Sequence, residues 1–296
     1  MEQNTPVADI ASQPKSGLMA GKRGLVMGVA NDHSIAWGIA QMLAAHGAEL
    51  AFTYQGEAQK KRLTPLAESV GSRLVMPADV ESDEQLDAVF ETLTREWGSL
   101  DFLVHSLAFS DAKELKGRYV DTTRANFLRS LDISCFSFTA VAQRAARLMK
   151  DGGAMVTLSY LGAQRVMPNY NVMGVAKAAL EASVRYLAND YGPQNIRVNA
   201  ISAGPVRTLA GAGIADARLM FNYQKRHAPL RRTVTIEEIG GSGIYLLSDL
   251  STGVTGEIHY VDSGYNIVSM PHPEALKTVD AAETAAEALL AKTAAE

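Results

Sequence analysis

Seven short apolar runs, set along the chain with helix-length stretches between them, constrain this sequence more than anything else in it. GLVMGV (24–29), ELAFTY (49–54), RLVMPA (73–78) and DFLVHSLA (101–108) are followed by GAMVTLSY (153–160), IRVNAIS (196–202) and GEIHYVD (256–262). Most are too apolar to leave one face wet, so they read as parallel strands buried on both sides, with helices covering each face. Gly47 after AQMLAAH and Gly71 after PLAESV suit left-handed helix caps ahead of the next strand. The expected fold is α/β: a single-domain, doubly wound (Rossmann-like) seven-stranded parallel sheet with helices on both faces.

A chain of 296 residues can bury one large core of this kind. The folded domain is expected over 21–270. A flexible arm precedes it over 1–20, polar, aperiodic and containing Pro6 and Pro14, and a tail rich in alanine and glutamate follows over 271–296. A net charge of −4, with no basic cluster interleaved with aromatics, argues against nucleic acid as a partner. The single cysteine, Cys135, excludes an intrachain disulfide and suits a reducing cytosol. No run approaches the ~18 apolar residues of a membrane span and none resembles a signal peptide, so a soluble, cytoplasmic protein without membrane insertion is expected. The six histidines lack HxxxH or HExxH spacing. No metal site is expected, and the histidines read as surface or hydrogen-bonded core residues.

In a doubly wound sheet the loop after the first strand receives a dinucleotide pyrophosphate at a helix N-terminus. Here that loop is GVANDHSIAWG, which lacks GxGxxG. Gly28 ends the strand, Ser34 falls at the N-cap, and Gly38 lies one turn into the helix, where it would let helix and sheet approach. An ordinary capped turn would look much the same, so the loop draws its weight from its position. The second strand ends in FTYQG, with neutral Gln55 where an acidic residue would hold a ribose 2′-hydroxyl and an arginine would hold a 2′-phosphate. Glu57 and then Lys60, Lys61 and Arg62 lie further along, and NADH is expected over NADPH. Asp79 and Val80, just after the third strand, are placed to meet the adenine ring.

Residues 168–190 read as one long helix opened by Pro168. Positions seven apart on a helix differ by only ~20° around the axis and ~10.5 Å along it, so Tyr170 and Lys177 of YNVMGVAK would share a face. A lysine there can bond ribose hydroxyls and, as a cation, lower the pKa of a nearby phenol, which then stabilises charge on a substrate oxygen. The commoner spacing of four is missing, because Met173 stands four residues before Lys177. Moving the phenol three positions toward the N-terminus shifts it by ~4.5 Å. In conjugate reduction of an α,β-unsaturated thioester, charge appears two bonds further from the hydride-accepting carbon than in ketone reduction, a displacement of roughly 2.5 Å. The longer spacing therefore suits a carbon–carbon double bond. A 3-ketoacyl or other carbonyl reductase of the same fold is the alternative, and Met173 argues against it.

The segments GVANDHSIAWGIAQ, ELAFTYQG, DFLVHSLAF, LSYLGAQRVMPNYNVMGVAKAALEASVRYLA and IRVNAISAGPVRTLA resemble those of bacterial NADH-dependent enoyl-acyl-carrier-protein reductases. These are divergent short-chain dehydrogenase/reductase members that complete each elongation cycle of type II fatty acid biosynthesis. The resemblance runs from about Lys22 to Met270. It implies Tyr170 as donor to the thioester oxygen, Lys177 on the nicotinamide ribose, and Tyr160 as a second active-site tyrosine beside the substrate. It further implies that Gly28, Ser34, Ile35, Gln55, Asp79 and Val80 bind NADH. Ser106 and Leu107 join them, with the loop Val206, Arg207, Thr208, Leu209 and Ala210. Ser110 lies where the family contacts substrate. Leu107 and Ala108 depart from the isoleucine and glycine of many relatives.

Residues 204–230 follow the sixth strand, with Gly204, Gly211 and Gly213 as candidate hinges and a helix-like IADARLMFNYQ. The resemblance makes this segment a lid over cofactor and acyl chain. RHAPLRR near its end adds positive charge that could meet an acidic carrier protein. The family analogy also implies a homotetramer assembled through the apolar stretches near 131–147 and 172–187.

Overall fold

The computed structural model describes residues 16–208 and 217–270. The seven runs become strands β1 (Arg23–Met27), β2 (Glu49–Tyr54), β3 (Leu74–Pro77), β4 (Phe102–His105), β5 (Gly153–Ser159), β6 (Ile196–Ala203) and β7 (Ile258–Val261). They form one sheet in the order β3-β2-β1-β4-β5-β6-β7, with every neighbouring pair parallel. The winding reverses between β1 and β4, which opens a crevice beyond the carboxyl ends of those strands.

Between the strands lie α1 (Ile35–Ala45), α2 (Glu57–Ser69), α3 (Asp83–Glu96), α4 (Arg124–Leu131), α5 (Ser137–Ala146), α6 (Asn171–Tyr191), α7 (Ala217–His227) and α8 (Ile236–Leu247). A π-helical segment, Asp132–Phe136, joins α4 to α5. The strands lack a wet face because successive side chains enter opposite cores. Val26, Phe102 and Val104 pack with α1 and α8, while Leu25, Met27 and Leu103 pack with α3, α5 and α6. Gly47 and Gly71 take positive φ, as the expected caps require.

Four details differ from the sequence reading. The expected arm reaches Ala20, yet Met19 is wholly buried in the first core and its amide donates to the His46 carbonyl at 2.9 Å. The folded body thus begins before residue 20, while residues 1–15 and the tail 271–296 lie outside the described residues. β4 stops at His105 because the chain turns away, held by Ser134, whose hydroxyl accepts from the Phe109 amide at 2.9 Å. α6 begins at Asn171 and not at Pro168. Asn169 and Asn171 both have positive φ, which a helix interior does not accept, and the Asn171 side chain donates to the Leu115 carbonyl at 3.1 Å. Tyr170 is therefore the N-cap residue, aimed by a break in the backbone. Finally, Gly38 serves helix against helix. A Cβ there would stand 2.3 Å from the Ile236 carbonyl oxygen, and one on Gly240 would stand 2.5 Å from that of Gly38, so α1 and α8 touch backbone to backbone.

His105 is a buried, hydrogen-bonded histidine of the core. Its ring lies 2.8 Å (Nε2) from the Ser137 hydroxyl and 3.1 Å (Nδ1) from that of Thr157. Burial, with the Lys177 charge nearby, holds its pKa down to about 3, so the imidazole is neutral. The Ser137 hydroxyl donates to the Ile133 carbonyl at 2.7 Å, which leaves Nε2–H to donate to Ser137; the single proton of the Thr157 hydroxyl lies between Nδ1 and the His105 carbonyl, each at 3.1 Å.

Candidate active site

Two cavities open along the crevice. One, of about 170 Å³, lies past the ends of β1, β2 and β3 and is lined by Gly28, Gln55, Asp79, Val80 and Leu107, among others. Gly28 has φ +100°, and a Cβ on it would stand 2.0 Å from the Ser106 carbonyl oxygen, so any larger residue would push β1 and β4 apart at the cavity floor. Gln55 donates through Nε2 to the Asp79 carboxylate at 3.0 Å, which sets both polar side chains at one rim. No cation stands beside Gln55 in that lining except Arg129, which is bidentate on Glu81 at 3.0 and 2.9 Å and lies over the Phe109 ring.

The second cavity, of about 140 Å³, lies past β5 and β6. It is lined by Ile35, Ser159, Tyr160, Tyr170, Gly204, Val206 and Thr208, and by Met220 and Phe221 of α7. The β1–α1 loop thus runs from one cavity to the other, Gly28 in the first and Ile35 in the second. Ser34 occupies the N-cap of α1 but does not cap it; its hydroxyl accepts from the Ala30 and Asn31 amides at 3.0 and 3.1 Å, which shapes the loop. With no acidic side chain in the first turn, the positive end of α1 is left for an anion. Two cavities joined by an anion-accepting helix end fit a dinucleotide.

Tyr160 follows β5 and Tyr170 precedes α6, and their rings meet edge to face at 5.0 Å. Two glycines make room for them. A Cβ on Gly162 would stand 2.4 Å from Tyr170 Cδ1, and one on Gly174 would stand 2.8 Å from the Gly162 carbonyl oxygen. Lys177, buried one and a half turns into α6, donates from Nζ to the Leu158 carbonyl at 2.8 Å. That contact spends one of three N–H donors and leaves two for a ligand. Burial lowers the Lys177 pKa to about 8, against upward pulls from Cys135 and Glu181.

The expected lowering of the phenol pKa is not found. Burial, then Tyr160 and Glu181, raise the Tyr170 pKa above its usual value, and burial raises that of Tyr160 as well. Both phenols stay protonated at neutral pH, which suits a hydrogen-bond and proton donor better than a phenolate would. Met173, at the position that would hold the donor in a spacing of four, is buried beside the Ser134 hydroxyl.

Other expected site residues fall elsewhere. The Ser110 hydroxyl is taken up by the Asn126 side chain at 3.1 Å and does not line either cavity. Arg207 is exposed, and Leu209, Ala210, Gly211 and Gly213 lie outside the described residues. Gly204, expected as a hinge, is a packing position, since a Cβ there would stand 2.9 Å from Asp262 Cα. The positive run near 225–232 is partly spent internally. Arg232 pairs with Glu238 at 2.6 Å, Arg231 donates to the Arg226 carbonyl at 2.7 Å, and His227 is buried.

Residues 28–266 match the family model described as enoyl-(acyl carrier protein) reductase. The chain belongs to that family. Among curated enoyl-acyl-carrier-protein reductases, one NADH-dependent form from Rhizobium meliloti is 69% identical over 90% of this chain and 99% of its own. A Rickettsia bellii relative is 56% identical over 86% of this chain and 97% of its own. A crystal structure from Candidatus Liberibacter asiaticus superposes with a TM-score of 0.85 at 60% identity, covering 86% of this chain and 99% of that one. A reductase from Anaplasma phagocytophilum, solved in complex with NAD, gives 0.84 at 58% identity over 86% and 97%. Against this family background, two features escaped the sequence reading: Gly162 and the buried Glu181.

Proposed function

We propose that the protein reduces trans-2-enoyl thioesters carried on acyl carrier protein to saturated acyl thioesters with NADH, in the elongation cycle of type II fatty acid biosynthesis. The observation that carries this reading is the buried Tyr170 packed against Tyr160, with Met173 at the carbonyl-reductase position and Lys177 on the same helix.

NADH, when bound, supplies the hydride that adds to the β-carbon of the enoyl thioester. Gly28, Gln55, Asp79, Val80, Ser106 and Leu107 would hold its adenosine end, and the α1 N-terminus with Ser34 its pyrophosphate. Ile35, Lys177 and the loop Val206–Ala210 would hold the nicotinamide end. Tyr170 donates a hydrogen bond to the thioester oxygen as that oxygen gains charge, which favours the enolate. A proton delivered to the α-carbon then completes the saturated product. Tyr160 packs its ring beside the thioester and limits where the acyl chain can lie. Residues 204–230 act as the lid, with Met220 and Phe221 excluding water over the reacting atoms.

Neutral Gln55 at the end of β2, turned to the Asp79 carboxylate, supports NADH over NADPH. Exposed Leu128, Phe136 and Tyr186, on the central helices, support a homotetramer. Among the described residues no helix is long and apolar enough to cross a membrane, which accords with a cytoplasmic enzyme.

Loss of NADH absorbance, followed with trans-2-enoyl and 3-ketoacyl thioesters side by side, tests the substrate class; turnover of the keto substrates alone would reject it. Tyr170→Phe should lower kcat on the order of 10²-fold with NADH affinity nearly kept, and unchanged turnover would remove the phenol from the mechanism.

A further inference from the structure

Glu181 is a carboxylate the reaction above does not use. It lies on α6 one turn beyond Lys177, and only 4% of its surface is exposed. A buried carboxylate persists only where hydrogen bonds replace water. Both of its oxygens are engaged: Oε1 accepts from the Ser159 hydroxyl at 2.7 Å, and Oε2 accepts from Gln164 Nε2 at 3.2 Å.

The placement of those two donors gives the contact its meaning. Ser159 ends β5, and Gln164 closes the turn that follows, so together they bracket Tyr160. The segment that carries Tyr160 is thus tied at both ends to one side chain on the helix that carries Lys177 and starts from Tyr170. The rings of Tyr160 and Tyr170 meet at the free side of that segment.

We infer that Glu181 is a positioning residue for the reduction: by holding Ser159 and Gln164 it sets Tyr160 against Tyr170 and the thioester without touching substrate itself. The inference rests on the reading of Tyr160 as a substrate-side residue. A carboxylate suits the task because it accepts from both donors at once. An amide can still serve, since the Ser159 hydroxyl can accept as well as donate. A methyl group keeps neither link.

The test measures kcat, KM for a trans-2-enoyl thioester and NADH affinity in Glu181→Ala, Glu181→Gln, Tyr160→Ala and the double variant Tyr160→Ala/Glu181→Ala. Glu181→Ala should lower kcat by roughly tenfold or more while NADH affinity, read at about pH 6 where Lys177 keeps its charge without the upward pull of the carboxylate, stays within about threefold, because the loss is one of alignment. Glu181→Gln should recover most of kcat. The double variant should be no slower than Tyr160→Ala, since a residue that acts through Tyr160 has nothing left to align. Losses that multiply, or a Glu181→Ala enzyme as fast as the parent, would overturn the inference. If Glu181→Ala does not fold, Ser159→Ala and Gln164→Ala each cut one link and should show the same non-additivity with Tyr160→Ala; full activity in both would overturn it. A Tyr160→Ala enzyme with unchanged kcat and KM would remove the role of Tyr160 and this inference with it. Damage in Tyr160→Ala beside a fully active Glu181→Ala would remove the inference alone.

Discussion

Gly162→Ala adds one methyl group at the point where the two tyrosines are packed, and its effect can be worked from distances. The new Cβ would stand 2.4 Å from Tyr170 Cδ1 and 2.7 Å from Cε1, where ordinary contact begins at 3.4 Å, so about 1 Å must be found. On its other sides Tyr170 belongs to a small core with Leu115, Val172 and Met173, and the added methyl also closes to 3.3 Å on Tyr160. Whichever partner retreats, the separation of the two rings changes. A displacement of about 1 Å at a reacting group costs on the order of 10²-fold in rate, close to 2.7 kcal/mol in the barrier. The overpacking itself costs ~1–3 kcal/mol, a fall of a few degrees in Tm that leaves the protein folded at assay temperature. NADH affinity should hold, because neither the adenosine-end cavity nor the Lys177 contact is touched. Steady-state turnover of a trans-2-enoyl thioester, with NADH binding followed by fluorescence, separates the two effects. A folded Gly162→Ala enzyme with kcat within about threefold of the parent would refute the claim that the ring pair is held by that glycine.

Lys177, with its pKa lowered to about 8, should release NADH as pH rises through that value, because the ammonium that donates to the ribose is lost; a flat affinity between pH 7 and 9.5, or the same inflection in Lys177→Met, would contradict the assignment. His105 is held neutral with a pKa of about 3, against an ordinary value of 6.5. The unfolded chain therefore binds the extra proton between those values. The stability His105 contributes is present above pH 6.5 and is lost as pH falls toward 3, at up to about 1.4 kcal/mol per pH unit. Replacing it with Gln should flatten that limb of the urea-denaturation profile, and an unaltered slope would reject the cause. Gly38→Ala would place its Cβ 2.3 Å from the Ile236 carbonyl, against backbone that cannot turn aside. It should lower stability by ~1–3 kcal/mol or more, and an unchanged Tm would show that α1 and α8 separate freely.

What was legible in the sequence was what repeats or is spaced. All seven strands follow from apolar runs bounded by turn residues, because burial on both faces leaves few polar positions in the inner strands, while the edge strands β3 and β7 are only half-buried. Tyr160, Tyr170 and Lys177 came from one continuous block, and Gly28, Gln55 and Asp79 from strand ends. Close approach left no such mark. Gly162 is silent in sequence because what it avoids is a ring eight residues away, folded back across it. Gly38 read as helix on sheet, since nothing in the chain announces that Gly240 is its partner. The start of α6 was misplaced because Pro168 suits a first helical turn, while the positive φ of Asn169 and Asn171 is a tertiary choice. Glu181 had a faint signal, an acidic residue one turn from Lys177 on a mostly apolar face, which became meaningful only when Ser159 and Gln164 were found beneath it.

The backbone contact of Gly38 with Gly240 joins residues about two hundred positions apart. On a ribosome adding roughly 5–20 residues each second, α1 would wait on the order of 10–40 s for the helix that covers it. Throughout that interval the face of α1 turned away from β1 and β2 stands uncovered, since those strands cover only its other side. A protein built this way completes its nucleotide cradle almost last, so chaperone demand during synthesis should scale with how slowly the final third of the message is read.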